Sequence, residues 1–318
     1  MKGEAANNDN NSARGFFPDL EQLKNAISGA DLEVIQLDPG GVEVRTKSFD
    51  VGELSVDRGS INRKLRVKGG LDAGRYGIGL FHPGARAKLN GLSVEPSTVW
   101  FSTPGVELDG YLQAEYGWTS LIVPADWVES VAFAGRASRA FSIRSGCMNW
   151  HPEPSRLRDL WTAAEAIVAS RTTLERSEAT AICWSVDVRN ALGAVLGDFD
   201  MPDSRSESRS LSYYRTARLA ESHMRERVSE VLCIDDICAE LRVSRRYLEY
   251  AFVDAFGTSP SSYFRVLRLH QVRRRLRTPD AETTVTSVAL AHGFTHLSLF
   301  STQYRALFGE SPSKTLNG

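Results

Sequence analysis

A pattern near the carboxyl end, TVTSVALAHGFTHLSLFSTQYRALFGESPS over residues 284–313, constrains the fold of this chain more than any other feature. Val285, Val288 and Ala289 recur at helical spacing and predict the apolar face of a short helix. Gly293 suits the sharp turn that ends such a helix, and Phe294 is expected to be buried beside it. The pattern therefore predicts a short helix followed by a tight turn.

A second, longer helix is expected to begin near Thr295 or His296. Its apolar positions repeat at helical spacing, and they are Phe300, Tyr304, Leu307 and Phe308. Gly309 would end this helix, and Pro312 would block its continuation. Two helices joined by a tight turn form a helix-turn-helix, whose second helix can lie in the major groove of DNA.

The same pattern occurs once more upstream. A short helix is predicted over Ile234–Leu241, and a longer one over 244–256 with Ser244 as its N-cap. Both copies close on F-G-x-S-P, at residues 256–260 and 308–312. The helix predicted between them, over 261–277, would hold the two motifs at a fixed separation. We therefore expect helix-turn-helix motifs at 234–256 and 285–308.

Several residue pairs in the second copy resemble the signature of the AraC/XylS family of transcriptional regulators. They are Ala289-Leu290, Gly293-Phe294, Phe300-Ser301, Phe308-Gly309 and Ser311-Pro312. The resemblance covers about residues 210–318, a third of the chain. It implies a bipartite domain that places two recognition helices in successive major grooves on one face of promoter DNA. It also implies RNA polymerase as a partner.

The charge distribution agrees with a nucleic-acid partner for the C-terminal third. Residues 205–318 carry 17 Lys and Arg against 12 Asp and Glu, whereas the whole chain has a net charge of −1. All but one of those basic residues are Arg, which suits bidentate contacts to phosphate and guanine. A basic segment on an acidic body is the electrostatic footprint expected of a DNA-binding domain.

The compartment follows from what the chain contains. The start, MKGEAANNDNNSARG, is polar, and no run of 18 apolar residues occurs. The four cysteines are scattered, which favours reduced core thiols over disulfides or a metal site. We therefore expect a cytoplasmic protein that does not contact the membrane.

Short strands with Gly and Pro turns dominate the region from about residue 34 to 123. Candidate strands include 49–56, 61–67 and 76–81, and the predicted turns include Gly69-Gly70 and Pro83-Gly84. This pattern predicts a β-sandwich or barrel. In the family that the C-terminal motifs resemble, a cupin-like sensor domain often stands at this position, and residues 16–150 look like one in architecture.

No metal or other cofactor is expected in that domain. Metal-binding cupins carry a His-x-His and a Glu, whereas His82 here stands alone before Pro83. A small-molecule effector pocket is the alternative use of such a domain. Its candidate lining is a set of strand aromatics, although most strand aromatics are core residues; the set is Tyr76, Phe81, Trp100, Phe101, Tyr111 and Trp118.

The segment between the two domains predicts a helical hairpin over 151–200 and a Ser- and Arg-rich linker over 201–210. The expected inner face of the second hairpin helix includes Ile182, Val186, Leu192 and Leu196. Family resemblance implies that such a hairpin can form a homodimer, and packing onto the β-domain is the equal alternative. Residues 1–15 are expected to form a disordered tail, and residues 211–318 to form the DNA-binding domain.

Recognition residues are expected on the outward faces of the two longer helices. On the first these are Arg245, Arg246, Glu249 and Tyr250, and Arg and Glu can read guanine and cytosine respectively. On the second they are His296, Leu297, Ser298 and Thr302, with shorter hydrogen-bonding reach. Phosphate contacts are expected from Arg305, and from Arg273 and Arg274 unless these are simply solvated.

Together these patterns predict an α+β multidomain protein: an N-terminal cupin-like β-sandwich or barrel with a helical hairpin, followed by an all-α domain with two helix-turn-helix motifs. The expected function is that of a transcriptional regulator of AraC type, an activator whose N-terminal domain senses a small molecule. Two alternatives stay open. The β-domain could bind a regulatory protein instead, or it could be a cupin-type enzyme fused to a DNA-binding domain, which the missing ligand set disfavours.

Overall fold

A computed structural model describes residues 31–70, 74–132, 146–170, 178–198, 204–230 and 232–318. The tail expected over residues 1–15 lies outside these ranges. The described chain begins with two antiparallel β-sheets and continues into helices.

Eleven strands are described. They are β1 (Asp31–Gln36), β2 (Val44–Val51), β3 (Leu54–Ile61), β4 (Leu65–Gly70), β5 (Arg75–Phe81), β6 (Ala87–Leu89), β7 (Leu92–Val94), β8 (Val99–Ser102), β9 (Glu107–Leu112), β10 (Tyr116–Pro124) and β11 (Cys147–Trp150). Sheet A has the order β1-β4-β9-β6-β7, and sheet B has the order β11-β8-β5-β10-β3-β2. A core lies between the sheets, where Leu65, Val67, Phe81 and Trp100 are buried.

Two details of the sequence prediction are wrong here. The predicted strand 49–56 spans the β2–β3 hairpin, because Gly52 takes a φ of 61° and turns the chain. The predicted turn at Gly69-Gly70 is instead the end of β4, where Gly69 pairs with Leu32 of β1. A Cβ at residue 69 would stand 1.9 Å from the carbonyl oxygen of Asp31, so a close backbone approach explains this glycine.

Within the described ranges, three helices cover the outer face of sheet B. They are α1 (Ala125–Ala132), α2 (Pro154–Ala169) and α3 (Glu178–Gly197). Leu160 and Ala164 of α2 and Leu192 of α3 are fully buried in one core with Leu80 and Leu121 of the sheet.

The inner face predicted for α3 is wrong at its N-terminal half. Ile182 and Val186 are 59% and 49% exposed, whereas Leu192 and Leu196 are buried as expected. The helix packs against sheet B and α2 mainly through its C-terminal half, where Val188, Val195 and Leu196 reach the core. An apolar strip of α3 therefore faces outward.

Among the residues that the structure describes from 204 onward, there are seven further helices: α4 (Ser204–Glu226), α5 (Ile234–Leu241), α6 (Arg245–Phe256), α7 (Pro260–Arg277), α8 (Val285–Ala291), α9 (Leu297–Phe308) and α10 (Pro312–Asn317). The linker prediction over 201–210 is wrong from residue 204 onward, because α4 begins there. Tyr214 and Ala217 of α4 are buried in the core of the helices that follow, and tertiary packing of this kind overrides the weak helical signal of a Ser-rich segment.

The α-helices of the described ranges include no segment with the length and apolar character that a bilayer crossing needs. Within the same ranges, no three His, Cys, Asp or Glu side chains converge as a metal site would require.

Candidate nucleic-acid interface

The first helix pair, α5 and α6, is built from local signals that the sequence carries. Ser244 caps α6, because its hydroxyl accepts a hydrogen bond from the backbone N–H of Tyr247 at 3.1 Å. Arg242 in the turn has a φ of 52°, a left-handed conformation that is mildly strained for a side chain other than glycine. Leu248 and Phe252 are fully buried, so the opposite face of α6 points outward.

The outward face of α6 carries three exposed predicted residues, Arg245, Arg246 and Tyr250, and a partly buried Glu249. The Arg246 guanidinium donates to the Tyr250 hydroxyl at 3.0 Å and lies 5.5 Å from the centre of its ring. Arg245 forms an exposed ion pair with Asp235 of α5, 3.1 Å away. Arg246 and Tyr250 thus form one preorganised unit, while Arg245 is shared with a neighbouring carboxylate.

The second helix pair, α8 and α9, has a different outward face. His296, Leu297, Ser298 and Thr302 are exposed, as is Leu299 at 55%. The Thr302 hydroxyl donates to the backbone carbonyl of Ser298 at 3.0 Å, so it is already engaged within the helix. The outward face of α9 therefore carries short polar side chains and apolar surface, whereas the outward face of α6 carries the Arg246 guanidinium and the Tyr250 phenol.

The three arginines expected at phosphates are placed differently from one another. Arg305 is exposed on α9. Arg274 is about half exposed, with a long 3.8 Å contact to Glu33. Arg273 is only 12% exposed, pairs with Glu310 at 3.1 Å and lies over the Phe308 ring at 4.5 Å. Arg273 is therefore the least accessible of the three for a phosphate contact, because its charge is paired with Glu310 and its side chain covers the Phe308 ring.

Sequence reasoning missed the contacts by which sheet A holds the first helix pair. Arg66 of β4 is 1% exposed and donates to Asp109 at 2.9 Å and to Glu221 of α4 at 2.8 Å. Its guanidinium lies 4.5 Å from the centre of the Phe256 ring at the end of α6. Tyr263 of α7 donates to the other carboxylate oxygen of Glu221. A buried charge cluster therefore joins the β-domain to α4, α6 and α7.

The charge state of this cluster follows from its partners. Burial by itself raises the pKa of Glu221, but Arg66 and Arg225 outweigh that effect and hold the pKa at about 2. Arg225 also donates from one guanidinium nitrogen, Nη1, to both carboxylate oxygens of Glu33 of β1, with both distances 2.9 Å. Glu221 is therefore ionised at neutral pH, and the network of contacts around it extends from β4 to the edge strand β1.

A second missed contact involves the glycine in the first F-G-x-S-P segment. Gly257 has a φ of 65°, and a Cβ there would stand 2.1 Å from the Tyr111 ring of β9. Lys88 of β6 forms an ion pair with Asp254 in the last turn of α6. The C-terminal end of α6 is thus seated on sheet A through an aromatic ring and an ion pair.

Strand β1 makes the corresponding contact with the second helix pair. The Gln36 side chain donates to the backbone carbonyl of Leu307 at 3.0 Å, and Gly40 N–H donates to the carbonyl of Ala306 at 3.1 Å. His270 of α7 donates through Nε2 to the Gln36 carbonyl at 3.1 Å. The end of β1 therefore contacts both α7 and the last turn of α9. No charge or motif in the sequence signals these backbone contacts.

The residues expected around an effector pocket divide between three sites. Phe81, Trp100 and Trp118 line a cavity between the two sheets. Tyr76 and Phe101 lie on the other side of sheet B, 5.1 Å apart between ring centres, in or beside the core with α1 to α3. Tyr111 faces Gly257. The predicted pocket is corrected accordingly, because side chains alternate between the two faces of a strand.

Comparison with known proteins identifies the C-terminal part. A helix-turn-helix domain family model matches residues 237–318. The XylDLEGF operon transcriptional activator of Pseudomonas putida is 33% identical over 106 residues, which are 33% of this chain and 32% of that protein. A probable thc operon regulatory protein of Rhodococcus erythropolis is 31% identical over 100 residues, covering 31% of this chain and 30% of that protein.

Among solved structures, a probable AraC family transcriptional regulator from Rhodopseudomonas palustris is 32% identical, and the match covers 95% of that chain and 32% of this one, with a TM-score of 0.31. The chain belongs to the AraC/XylS family. Its match spans about a third of the length of the curated relatives. The AraC-type region is therefore the part on which the family assignment rests, and it includes α6 and α9.

Proposed function

We propose that this AraC/XylS-family protein is a sequence-specific, DNA-binding regulator of transcription, and that it acts as an activator. The observation that carries the proposal is the exposed Arg246–Tyr250 unit on α6, within a segment that matches a helix-turn-helix domain. The buried face of α6 holds Leu248 and Phe252 in the core, so the helix presents these polar groups from a rigid support. RNA polymerase is the partner that an activator of this family implies.

In the proposed arrangement, α6 and α9 are the recognition helices of two helix-turn-helix motifs in successive major grooves. Arg246 reads guanine through N7 and O6, and Glu249 accepts from cytosine N4. The second helix contributes weaker readout through His296, Ser298 and Thr302, with Leu297 against a thymine methyl group. Arg305 and Arg274 contact phosphates, which fix register without reading sequence.

The test uses the full chain and double-stranded DNA. DNA duplexes that the protein selects from a random library should converge on one sequence. A duplex of that sequence should bind more tightly than a scrambled duplex of equal composition. Affinity should fall by at least about tenfold between 50 and 200 mM salt if several phosphates are contacted. A folded chain that shows neither sequence preference nor salt dependence would refute the proposal.

The β-domain is proposed to control the DNA-binding part. Two contacts support this. Arg66 of sheet A binds Glu221 of α4 in a buried site, and the Tyr111 ring of sheet A packs against Gly257 at the end of α6. A small-molecule effector is favoured because a cavity lies between the sheets of this cupin-like domain. A regulatory protein partner is the alternative. A thermal-shift screen of metabolites separates the two, since only a bound small molecule raises the unfolding temperature of the isolated protein.

We also propose that the protein is a homodimer through the outward face of α3. Ile182 and Val186 stand one helical turn apart and are both about half exposed, so they form an adjacent pair of large aliphatic side chains on one outward face. Ile182→Glu should shift the protein from dimer to monomer in sedimentation analysis. Leu219→Glu, at a site 57% exposed on α4, is the matched control and should leave the dimer intact. A monomeric wild type, or equal effects of both variants, would contradict this assignment.

A further inference from the structure

The cavity between the two sheets has a volume of about 90 Å³. Sheet A contributes Val34, Leu65 and Val67 to its wall, and sheet B contributes Phe81, Trp100 and Trp118. Engineered apolar cavities of roughly 150 Å³ bind benzene or xenon. A ligand of this cavity is therefore at most about the size of a single ring, and a ring would enter by displacing partly buried side chains such as Val34.

The wall specifies the chemistry of that ligand. None of the lining residues that the structure describes is Asp, Glu, Lys, Arg or His. The Ser120 hydroxyl faces the Asp57 carbonyl at 3.5 Å. The wall includes two further side chains with a polar atom: Trp100, whose indole N–H has no hydrogen-bond partner among the described residues, and Tyr116 with its phenol hydroxyl. A charged ligand or a sugar would lose its hydration here without enough replacement, whereas a neutral, mainly apolar ligand would not.

The strands that wall the cavity are the same strands that hold the first helix pair. Leu65 and Val67 of β4 line the cavity, and Arg66 between them points the other way to Glu221 and Phe256. The pattern repeats on β9, where Leu108 and Leu112 line the cavity while Tyr111 meets Gly257. Because alternate side chains of a strand lie on opposite faces, a shift of β4 or β9 at the cavity also moves Arg66 and Tyr111.

We propose that the cavity binds a small, uncharged, apolar molecule, and that occupancy is transmitted through β4 and β9, by Arg66 and Tyr111, to the C-terminal end of α6. The binding half of this inference names the ligand class for the proposed effector role of the cavity, and the transmission half rests on the proposed DNA-binding function. A close-packed interior transmits small displacements, because there is little free space in which to absorb them. The proposed ligand therefore changes DNA affinity without contacting DNA.

The binding half is tested on the full chain with toluene and xenon as probes. Toluene should raise the unfolding temperature, and ¹²⁹Xe NMR should show a protein-dependent shift of the xenon signal. Both effects should be lost in Val34→Phe, which fills the cavity, and kept in Val106→Phe, a matched change in the loop between β8 and β9 outside the lining. D-xylose, a polar ring, should have no effect.

Two results would overturn the binding half. If wild type and Val34→Phe respond alike to xenon and toluene, the cavity is a packing void. If D-xylose stabilises the wild type and toluene does not, the assigned ligand class is wrong.

The transmission half is tested by titrating the selected duplex with and without toluene. The affinity of the wild type should change by about fivefold, the lower end of common allosteric couplings. Tyr111→Leu should still bind toluene but lose most of this change, because its smaller side chain no longer fills the contact with Gly257. Bound toluene with unchanged DNA affinity would overturn transmission alone. Absence of DNA binding under all conditions would instead refute the proposed function, and the toluene and xenon results would still decide the binding half.

Discussion

The Arg66 guanidinium lies 2.8 Å from the Glu221 carboxylate, and both side chains are almost completely buried. Their contact joins strand β4 to helix α4, and so it ties the β-domain to the AraC-type region. Two charges removed from water are stabilised only while each keeps its partners. A single substitution in this pair is therefore expected to weaken the packing of the β-domain against the AraC-type region.

The first prediction concerns that pair. Glu221→Gln should lower the free energy of unfolding by about 3 kcal/mol, because it leaves Arg66 and Arg225 short of one negative charge in a buried site. Glu226→Gln is the matched control on the same helix, where the carboxylate is exposed and contacts Ser222; it should cost less than about 0.5 kcal/mol. Denaturant unfolding of both variants measures the difference, and equal effects would contradict the assigned role of the buried pair.

The second prediction concerns pH. Burial, and then the charges of Arg273 and Arg274, lower the pKa of His270 to about 4, against the favourable bond to the Gln36 carbonyl and the nearby Glu33. In the unfolded chain, His270 takes up a proton near its ordinary pKa of 6.5. The contribution of His270 to the free energy of unfolding is therefore fully present above about pH 6.5, and it is lost as the pH falls toward 4.

Between pH 6.5 and 4, protonation of His270 should lower the free energy of unfolding by at most about 3 kcal/mol. His270→Gln should flatten the stability profile between pH 6.5 and 4, measured by urea unfolding at several pH values. Burial also lowers the pKa of His82, so part of the slope should remain in this variant. An unchanged slope in His270→Gln would show that His270 is not the titrating group.

The third prediction compares the two glycines of the F-G-x-S-P segments. Gly309 has a φ of 73°, and a Cβ at this residue would have open space around it, so Gly309→Ala should cost about 1 kcal/mol from backbone strain alone. Gly257→Ala adds a contact of 2.1 Å with the Tyr111 ring and should cost clearly more. In the background of Tyr111→Leu the excess cost of Gly257→Ala should shrink. Additive effects of the two substitutions would argue against this contact.

The fourth prediction contrasts the two helices proposed to read DNA. Arg246→Ala should lose about 1–3 kcal/mol on the selected duplex and relax preference at one or two base pairs. Thr302→Ala should lose less than about 1 kcal/mol, because its hydroxyl already donates to the Ser298 carbonyl. Binding titrations on selected and scrambled duplexes provide the comparison. If Thr302→Ala damages specificity as much as Arg246→Ala, α6 does not dominate readout.

The fifth prediction concerns Arg305 and Arg273, two arginines for which the sequence predicts the same role, a phosphate contact. Arg305→Ala should weaken binding to selected and scrambled duplexes alike and reduce the salt slope by about one. Arg273→Ala should leave the salt slope unchanged but lower the unfolding temperature, because Arg273 pairs with Glu310 and covers the Phe308 ring. A reduced salt slope in Arg273→Ala would restore the phosphate role that the structure disfavours.

The locally encoded features of the AraC-type region could be predicted from sequence. Ser244 as an N-cap, Gly257 and Gly309 as helix stops and the inward Leu248 and Phe252 all depend on residues within a few positions of one another. Prediction failed where a distant segment decides the outcome. The Ser-rich segment from residue 204 is helical because α4 packs on α6. Ile182 is exposed because it lies on the face of α3 that points away from the core, whereas Ala181 and Trp184 beside it pack against that core.

The sequence by itself therefore determined the approximate boundaries of α5 to α9 in the AraC-type region, the family, and the β-rich character of the N-terminal part. Only the tertiary structure decided that Arg66 meets Glu221, that Arg273 covers a core, and that Phe81, Trp100 and Trp118 share a cavity while Tyr76 and Tyr111 do not. The physical reason is the distance along the chain over which each interaction acts. Capping, helical periodicity and turn conformation act between near neighbours in the chain, whereas ion pairs and strand registry join residues whose separation along the chain leaves no local pattern.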